Sequence, residues 1–432
     1  MVVLTAGCAY HNAIYNSERL YREGERLRRA GLDELAAERY REVVRKTADA
    51  YRARPDADWA GEALSLLGRS RLRLGESVAA RSALEEAAAR VAPDNVPAVG
   101  VWLAEALAAS GEERAALERV EVALEAPLEG TALAEAHLVH GRLQLGLGQP
   151  ERAWWSLDRA AEADPAVRVE AALARLDAAL DAGHRESAAR ALDLLLAYEE
   201  GGGRLVAVTD GVARAREAWG AGVAARLLGG ADSARWERGA RGRIRLERAR
   251  LLRDSGASTQ AADVAWQVAE GLGAGSAEAR AMLARWHLEG ARDLVEAFAV
   301  RRILLPAGGD TAVATLVDAV DALETYAGVG LDEPLGLFAA GEVARDRLGA
   351  DYLARGLFLA YADGSPDEPW APKALLAALQ VATSEPDRAW LRGRLEAHAG
   401  SPYVLAAHGG PPAGFEALEE ELAVRLRDIT GR

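Results

Sequence analysis

One pattern recurs along the chain at a constant phase and limits the possible folds more than any other sequence feature. A glycine is followed by an alanine five residues later, by an apolar residue four positions further on, and by another three positions after that. The pattern occurs at Gly31-Ala36-Tyr40-Val43, Gly75-Ala80-Leu84-Ala87, Gly111-Ala116-Val120-Ala123, Gly148-Ala153-Leu157-Ala160, Gly183-Ala188-Leu192-Leu195, Gly256-Ala261-Ala265-Val268 and Gly349-Ala354-Phe358-Tyr361. Offsets of three and four place the apolar residues on one face of a helix, and glycine permits the left-handed turn before it. The pattern predicts a helix that follows a tight turn in each instance.

The residues before each turn glycine predict a second helix. A small residue stands seven positions upstream of the glycine, and these residues are Gly24, Gly68, Ala104 and Gly141. Small residues allow two helices to approach closely, and large apolar residues fill the groove between them. Proline cannot continue a helix, and Pro93, Pro127 and Pro165 close three of the units. Each unit is therefore expected to be a pair of antiparallel helices.

These units resemble tetratricopeptide repeats, which are helix pairs of about 34 residues. Composition agrees, because Ala, Leu, Arg and Glu favour helices and strand-like runs of Val, Ile, Thr or Tyr are almost absent. The resemblance implies an all-α fold, a right-handed superhelical solenoid of antiparallel, tetratricopeptide-like helix pairs. In such an array each unit contacts mainly its neighbours, which suits a chain of 432 residues.

The glycine-rich segment that begins at Glu199-Glu200-Gly201-Gly202-Gly203 interrupts the repeats. We therefore predict four regions: 1–8, a truncated lipoprotein signal; 9–198, an N-terminal repeat array; 199–240, a glycine-rich irregular linker region of helices that depart from the repeat; and 241–432, a C-terminal array. The last array is expected to end in a capping helix, Phe415 to Arg427.

The N-terminus carries the single cysteine of the chain, Cys8, after Leu4-Thr5-Ala6-Gly7. Small residues directly before a cysteine resemble the lipobox of bacterial lipoproteins, in which the cysteine is lipidated. Seven residues precede Cys8, so a charged and apolar leader is missing. Two interpretations stay open: the start was assigned too late, or the product is not exported.

A second resemblance concerns location and partners. The run Pro366-Asp-Glu-Pro-Trp-Ala-Pro-Lys-Ala374 is similar to the inter-repeat junction of tetratricopeptide lipoproteins that serve outer-membrane β-barrel assembly. The resemblance implies a lipid-anchored scaffold of the bacterial envelope, at the outer membrane facing the periplasm, that binds a protein or peptide partner. The alternative is a cytosolic tetratricopeptide adaptor or regulator.

Charge and motifs argue against other classes of function. A formal net charge of −14 argues against nucleic acid, because phosphate binding needs a basic face. No motif of a dinucleotide site, a P-loop or a nucleophile elbow occurs, so we expect no enzyme and no cofactor. His137 and His140 could share a helix face, but no Cys/His cluster accompanies them. Packing is the better interpretation of the two histidines, and we expect no metal.

If the array binds its partner as similar arrays do, the first helices of the pairs line the binding face. The candidate residues on these helices are Tyr21, Arg28, Arg69, Arg73, Glu105 and Arg142. Arginine can bind a carboxylate with two parallel hydrogen bonds, which makes it suitable for peptide recognition. The competing interpretation of each residue is an ordinary solvated helix face.

Overall fold

The computed structural model describes the backbone of residues 4–197, 203–232, 236, 238–271, 274–305, 309–409 and 412–430. Side chains are described in these ranges except at 4–13, 203–204, 231–232, 238, 274 and 430. Helices and turns make up the described residues, and no strand occurs among them. The chain divides into two compact units, Met1–Ala257 and Ser258–Arg432.

The first unit is a succession of helices joined by short turns. Its helices are α1 (Leu4–Arg29), α2 (Asp33–Ala53), α3 (Ala60–Arg73), α4 (Ser77–Ala88), α5 (Val96–Ala109), α6 (Glu113–Leu124), α7 (Gly130–Gly146), α8 (Pro150–Ala163), α9 (Arg168–Asp181), α10 (Arg185–Ala197), α11 (Gly203–Trp219), α12 (Ala221–Leu227) and α13 (Arg238–Asp254). Each helix from α1 to α10 packs on the next, and first helices of neighbouring pairs also contact each other. The predicted all-α fold of stacked helix pairs is confirmed.

The turn glycines of the recurring pattern adopt the left-handed conformation that the pattern predicted. Gly31, Gly75, Gly111, Gly148, Gly183, Gly256 and Gly349 have φ angles between +62° and +87°. At the end of α3, for example, the Gly75 amide donates to the carbonyl of Leu72 and the Glu76 amide donates to the carbonyl of Arg71. These bonds satisfy carbonyls that the end of a helix leaves without partners.

A small residue on the first helix faces a large one on the second in four pairs. These combinations are Gly24 with Tyr40, Gly68 with Leu84, Gly141 with Leu157, and Gly341 with Phe358. A Cβ atom added to any of these glycines would lie 2.5–2.9 Å from the large side chain. The four large side chains are buried. The glycines therefore set how closely the helices of a pair approach.

Helices occupy much of the segment 199–240, for which the sequence predicted a glycine-rich linker region of helices that depart from the repeat. Helices α11 and α12 lie there, within the first unit, while residues 199–202 are outside the described residues. Val208, Val212 and Ala215 form a buried stripe on α11. The stripe lacks the glycine and alanine phase of the other pairs, which explains why the pattern did not reveal it. The predicted division into two arrays at this segment stays a prediction.

The second unit is built from shorter helices. They are α14 (Ser258–Ala269), α15 (Ala274–Gly290), α16 (Leu294–Ala299), α17 (Arg301–Leu304), α18 (Thr311–Val329), α19 (Leu335–Asp346), α20 (Asp351–Gly364), α21 (Ala371–Gln380), α22 (Glu385–Glu396), α23 (Pro402–Gly409) and α24 (Phe415–Thr430). Phe338, Phe358, Tyr361 and Trp370 are among its most deeply buried side chains. The predicted last helix is present as α24, and it packs back on α18, α19 and α23.

Candidate binding face of the first unit

The first helices of five successive pairs, α1, α3, α5, α7 and α9, present a connected set of polar side chains. We call this set the polar face. It comprises Tyr21, Glu25, Arg28, Arg69, Arg73, Trp102, Glu105, Glu135, Arg142 and Glu170. All six partner-binding candidates from the sequence belong to it. The helix pairing therefore brings together residues that are far apart in the chain.

Glu25 is the most connected carboxylate of the polar face. It accepts hydrogen bonds from Arg28 at 3.0 Å, from Arg73 at 2.8 Å and from the Tyr40 hydroxyl at 2.8 Å. Arg73 also donates to Glu105 at 2.8 Å, so it links α1 to α5 through α3. Hydrogen bonds to charged groups are the stronger ones, and these are partly or fully buried.

A second chain of ion pairs connects α1 with α9. Arg28 donates to Glu170 at 2.6 Å, although the two residues are 142 positions apart. Arg142 on α7 reaches the other oxygen of Glu170 at 3.4 Å. Arg28 is thus shared between Glu25 and Glu170. These contacts require α1 and α9 to converge at this face of the first unit.

Ion pairs hold two carboxylates of the polar face, Glu25 and Glu170, in the charged form. Burial alone would raise the pKa of Glu25, but the positive charges of Arg73 and Arg28 and the hydrogen bonds from Arg28 and Tyr40 place it well below its usual range. Burial would also raise the pKa of Glu170, and Arg28 and Arg142 lower it. Arg28, Arg73, Glu105 and Arg142 therefore already have partners within the protein.

Arg69 differs from these arginines. Its guanidinium lies 4.4 Å from the ring centre of Tyr21 and 3.9 Å from that of Trp102. Its Nε atom is buried and has no hydrogen-bond partner, and no carboxylate among the described side chains is paired with Arg69. Two aromatic rings therefore hold the guanidinium by its faces and leave its N–H edge without an acceptor.

A cavity of 410 Å³ opens beside Arg69 and Trp102. Its remaining lining is Ile14, Glu18, Glu62, Ser65, Leu66, Val91, Asn95, Ala98 and Val99. The lining combines one guanidinium with apolar walls and with the exposed carboxylates Glu18 and Glu62. A smaller cavity of 140 Å³ lies among Arg28, Arg73, Glu105 and Arg142, where the ion pairs meet.

The two histidines singled out in the sequence have packing and hydrogen-bonding roles. His140 Nδ1 lies 2.7 Å from Ser156 Oγ, and its Nε2 lies 3.2 Å from Gln144 Nε2. His137 packs edge-on against Trp155, with ring centres 5.5 Å apart. Among the residues that the structure describes, no group of three or more His, Cys, Asp or Glu is arranged to hold a metal.

Sequence reasoning missed Trp102, Glu135 and Glu170 as members of the polar face. A signal for the two glutamates exists in the repeat phase. A glutamate stands thirteen residues before each of four turn glycines, in the combinations Glu18 and Gly31, Glu62 and Gly75, Glu135 and Gly148, and Glu170 and Gly183. Trp102 has no such counterpart. Its indole donates to Glu135 at 2.8 Å, which orients the ring that covers Arg69.

Cys8, the predicted lipidation site, lies within the backbone of α1, and its side chain is outside the described side chains. Within the described residues no helix is both long and apolar enough to span a bilayer.

Comparisons with known proteins identify no family. No family model and no curated protein matches the sequence. Among solved structures, the chain is similar to the human IFIT1 dimer with m7Gppp-AAAA, at 13% identity and a TM-score of 0.31, over 82% of this chain and 72% of that one. It is also similar to Naa15/Naa10 bound to HypK-THB, at 15% identity and a TM-score of 0.27, over 93% and 66%.

The tetratricopeptide domain of P58(IPK) is a third similar structure, at 15% identity and a TM-score of 0.21, over 86% of this chain and 99% of that one. Similarities this low carry no argument about partners or activity. The helix pairs, turn glycines and small-to-large contacts described above establish the architecture by themselves, and the chain has a tetratricopeptide-like fold.

Proposed function

We propose that the protein is a non-catalytic scaffold that binds a protein or peptide partner at the polar face of its first unit. The observation that carries the proposal is the state of Arg69. It is fixed between Tyr21 and Trp102, lacks a carboxylate partner among the described side chains, and lines the 410 Å³ cavity.

The chemistry of the cavity defines the ligand. A guanidinium already held in place loses little conformational freedom when it binds, so a carboxylate of the partner gains most of the hydrogen-bond energy. Leu66, Val99 and the Trp102 ring can take an apolar side chain beside that carboxylate. Arg73 would have to break its largely buried pairs with Glu25 and Glu105 before it could bind a partner, which costs about 3–5 kcal/mol. The other candidates, Arg28, Arg73, Glu105 and Arg142, all have ion-pair partners within the protein. They are therefore expected to shape the face rather than to contact the partner.

The test compares two arginine substitutions in affinity capture from solubilised cell envelope. Arg69→Met keeps an unbranched side chain between the two rings and removes the charge. We expect it to lower the captured partner about tenfold or more, since hydrogen bonds to charged groups contribute about 1.5–3 kcal/mol. Arg52→Met is the control, because Arg52 is exposed on α2 away from the polar face.

A partner captured equally by Arg69→Met and by the unaltered protein would end the proposal for this face. Far-UV circular dichroism of both variants checks that the helices are intact, which excludes unfolding as the cause of a loss of capture.

We propose further that Cys8 carries a lipid anchor and that the scaffold acts at the bacterial outer membrane, in assembly or envelope maintenance. The support is the Leu4-Thr5-Ala6-Gly7-Cys8 run and the Pro366 to Ala374 junction. The experiment is labelled-palmitate incorporation when the gene is expressed with its native upstream DNA. Label that is lost in Cys8→Ser supports the anchor. A stop codon directly upstream of Met1 together with an unlabelled protein favours the cytosolic adaptor.

A further inference from the structure

The last helix of the second unit, α24, packs on other helices of that unit through one narrow face. Helix α24 contacts α18, α19 and α23, and two side chains at the start of α21 reach it. We call the surface under it the α24 groove and define it by Glu368, Trp370, Lys373 and Tyr403. Tyr403 packs on Phe415 of α24, with ring centres 5.4 Å apart.

The apolar contacts of α24 form a single stripe. Phe415, Leu418, Leu422, Leu426 and Ile429 follow each other at steps of three and four residues and pack against the core of the second unit. Leu422 is 2% exposed, while the other four are half-buried. Such spacing is how an amphipathic helix anchors itself in a groove of another protein.

Polar contacts fix the position and direction of α24 in the groove. Lys373 Nζ donates to both carboxylate oxygens of Glu419, at 2.8 and 2.9 Å. The Trp370 indole donates to the main-chain carbonyl of Leu418 at 3.3 Å, a contact that any helix can supply. Arg425 lies over the Trp370 ring at 5.2 Å and 3.8 Å from Glu368.

These contacts specify a sequence pattern for a helix in the groove. Apolar residues occur at positions i, i+3, i+7, i+11 and i+14, a carboxylate at i+4 and a basic residue at i+10, counted from Phe415. A carboxylate at i+4 fits the groove because both oxygens of Glu419 accept from the partly buried Lys373 ammonium. An apolar or basic residue at i+4 would leave the ammonium without its partner.

Helix α24 also buries fewer side chains than α21 does. Helix α21 buries six side chains, Ala371, Pro372, Ala374, Leu375, Ala377 and Ala378. Among the described side chains of α24, Leu422 is the buried one. Segments with little buried apolar surface open locally at a lower free-energy cost than the core. We therefore expect release of α24 to cost less free energy than release of α21.

We propose that the α24 groove is a recognition site for an acidic amphipathic helix of a partner protein, and that α24 is its intramolecular occupant, displaced when the partner binds. The groove lies in the second unit and involves neither Arg69 nor the lipid anchor, so the proposal stands apart from the function proposed above.

The test uses a fluorescein-labelled peptide of residues 412–430 and the full-length protein carrying Leu422→Asp. The aspartate unseats α24 because it places a carboxylate in an apolar site. Fluorescence anisotropy is expected to show peptide binding to Leu422→Asp at least tenfold tighter than to the unaltered protein, whose groove is occupied. Val424→Asp is the control, because Val424 is exposed on α24 and its substitution leaves the groove filled.

A charge swap tests the recognition itself. In the Leu422→Asp protein, Lys373→Glu is expected to lower peptide affinity about tenfold, and a peptide with Glu419→Lys is expected to restore it. Arg392→Glu, an exposed substitution on α22, leaves affinity unchanged. Absence of peptide binding to a helical Leu422→Asp protein, or a Lys373→Glu loss that the swapped peptide does not rescue, overturns the proposal.

Hydrogen exchange on the unaltered protein decides the case if Leu422→Asp fails to fold. Amides of 418–430 are expected to exchange faster than those of α21. Equal protection of α24 and α21 would make α24 an integral part of the core and would overturn the proposal.

Discussion

Replacing Gly68 by alanine tests whether the approach of two paired helices limits side-chain size. Gly68 lies in the middle of α3, where alanine is a better helix former than glycine by about 1 kcal/mol. Helix propensity alone therefore predicts that Gly68→Ala stabilises the first unit. The packing against α4 predicts the opposite.

The magnitude follows from the space around the new methyl group. It would lie 2.5 Å from Leu84 Cγ and 3.2 Å from the carbonyl oxygen of Ala80. Leu84 is fully buried and cannot move aside, so the substitution overpacks the pair at a cost of about 1–3 kcal/mol. After the gain in propensity, we expect Gly68→Ala to lower the free energy of unfolding by about 1 kcal/mol, and by no more than about 2 kcal/mol.

Gly100 provides a matched control in the same unit. It also lies within a helix, α5, but a methyl group there would be 3.7 Å from Ala123 Cβ and 3.8 Å from Arg119 Cδ, which is ordinary contact. Gly100→Ala is expected to raise the free energy of unfolding by about 1 kcal/mol. The free energies of unfolding of the two alanine variants should therefore differ by about 2 kcal/mol, one lying below and one above that of the unaltered protein.

The assay is urea unfolding followed by far-UV circular dichroism, with hydrogen exchange to locate the change at α3 and α4. Repeat arrays can lose two-state behaviour, so the local exchange data carry the comparison. In a Leu84→Ala background the contacts with Leu84 Cγ and Cδ2 are absent, and Gly68→Ala is expected to be less destabilising or to stabilise. The reasoning is refuted if Gly68→Ala stabilises the unaltered protein as much as Gly100→Ala does.

Two further predictions concern pH. Arg73 and Arg28 outweigh burial and lower the pKa of Glu25, so the stability that this carboxylate provides is complete above about pH 4.5 and is lost as the pH falls further. Urea midpoints measured from pH 6 to pH 3 should therefore fall less steeply for Glu25→Gln than for the unaltered protein. Parallel curves would contradict the assignment. Burial, with smaller contributions from His140 and Arg159, lowers the pKa of His137 to about 4. The imidazole of the unfolded chain binds its proton near pH 6.5, so the free energy of unfolding should decline as the pH falls from about 6.5 toward 4. An NMR titration of His137 with a midpoint near 6.5 would contradict this and show that the ring is solvated.

Much of the repeat architecture could be predicted because each unit is specified locally. The turn glycines need a positive φ, and the small-to-large contacts recur at nearly constant spacing, so neither depends on distant parts of the chain. Helices were expected between 199 and 240, but the repeat pattern could not locate α11 because its buried stripe of Val208, Val212 and Ala215 carries no glycine marker. There the burial is set by tertiary packing rather than by a local motif.

The composition of the polar face could be predicted only in part. Placing Arg28, Arg73 and Glu105 on first helices follows from the repeat phase, but their pairing depends on the rotation between successive pairs, which no single unit encodes. The same holds for Arg69, whose neighbour Trp102 comes from another pair. The direction in which α24 packs also depends on side chains of distant helices.

The ion pair between Arg28 and Glu170 places a limit on how this chain can evolve in length. A stack of repeats usually tolerates the gain or loss of a unit, because each unit meets only its neighbours. Here three pairs, α3/α4 to α7/α8, lie between the pair of α1 and the pair of α9, and a 2.6 Å bond joins Arg28 to Glu170. Adding or deleting one pair would carry Glu170 away from Arg28 and break the ion pair that joins the two ends of this stretch. The number of repeats in this stretch is thereby set by the protein's own geometry.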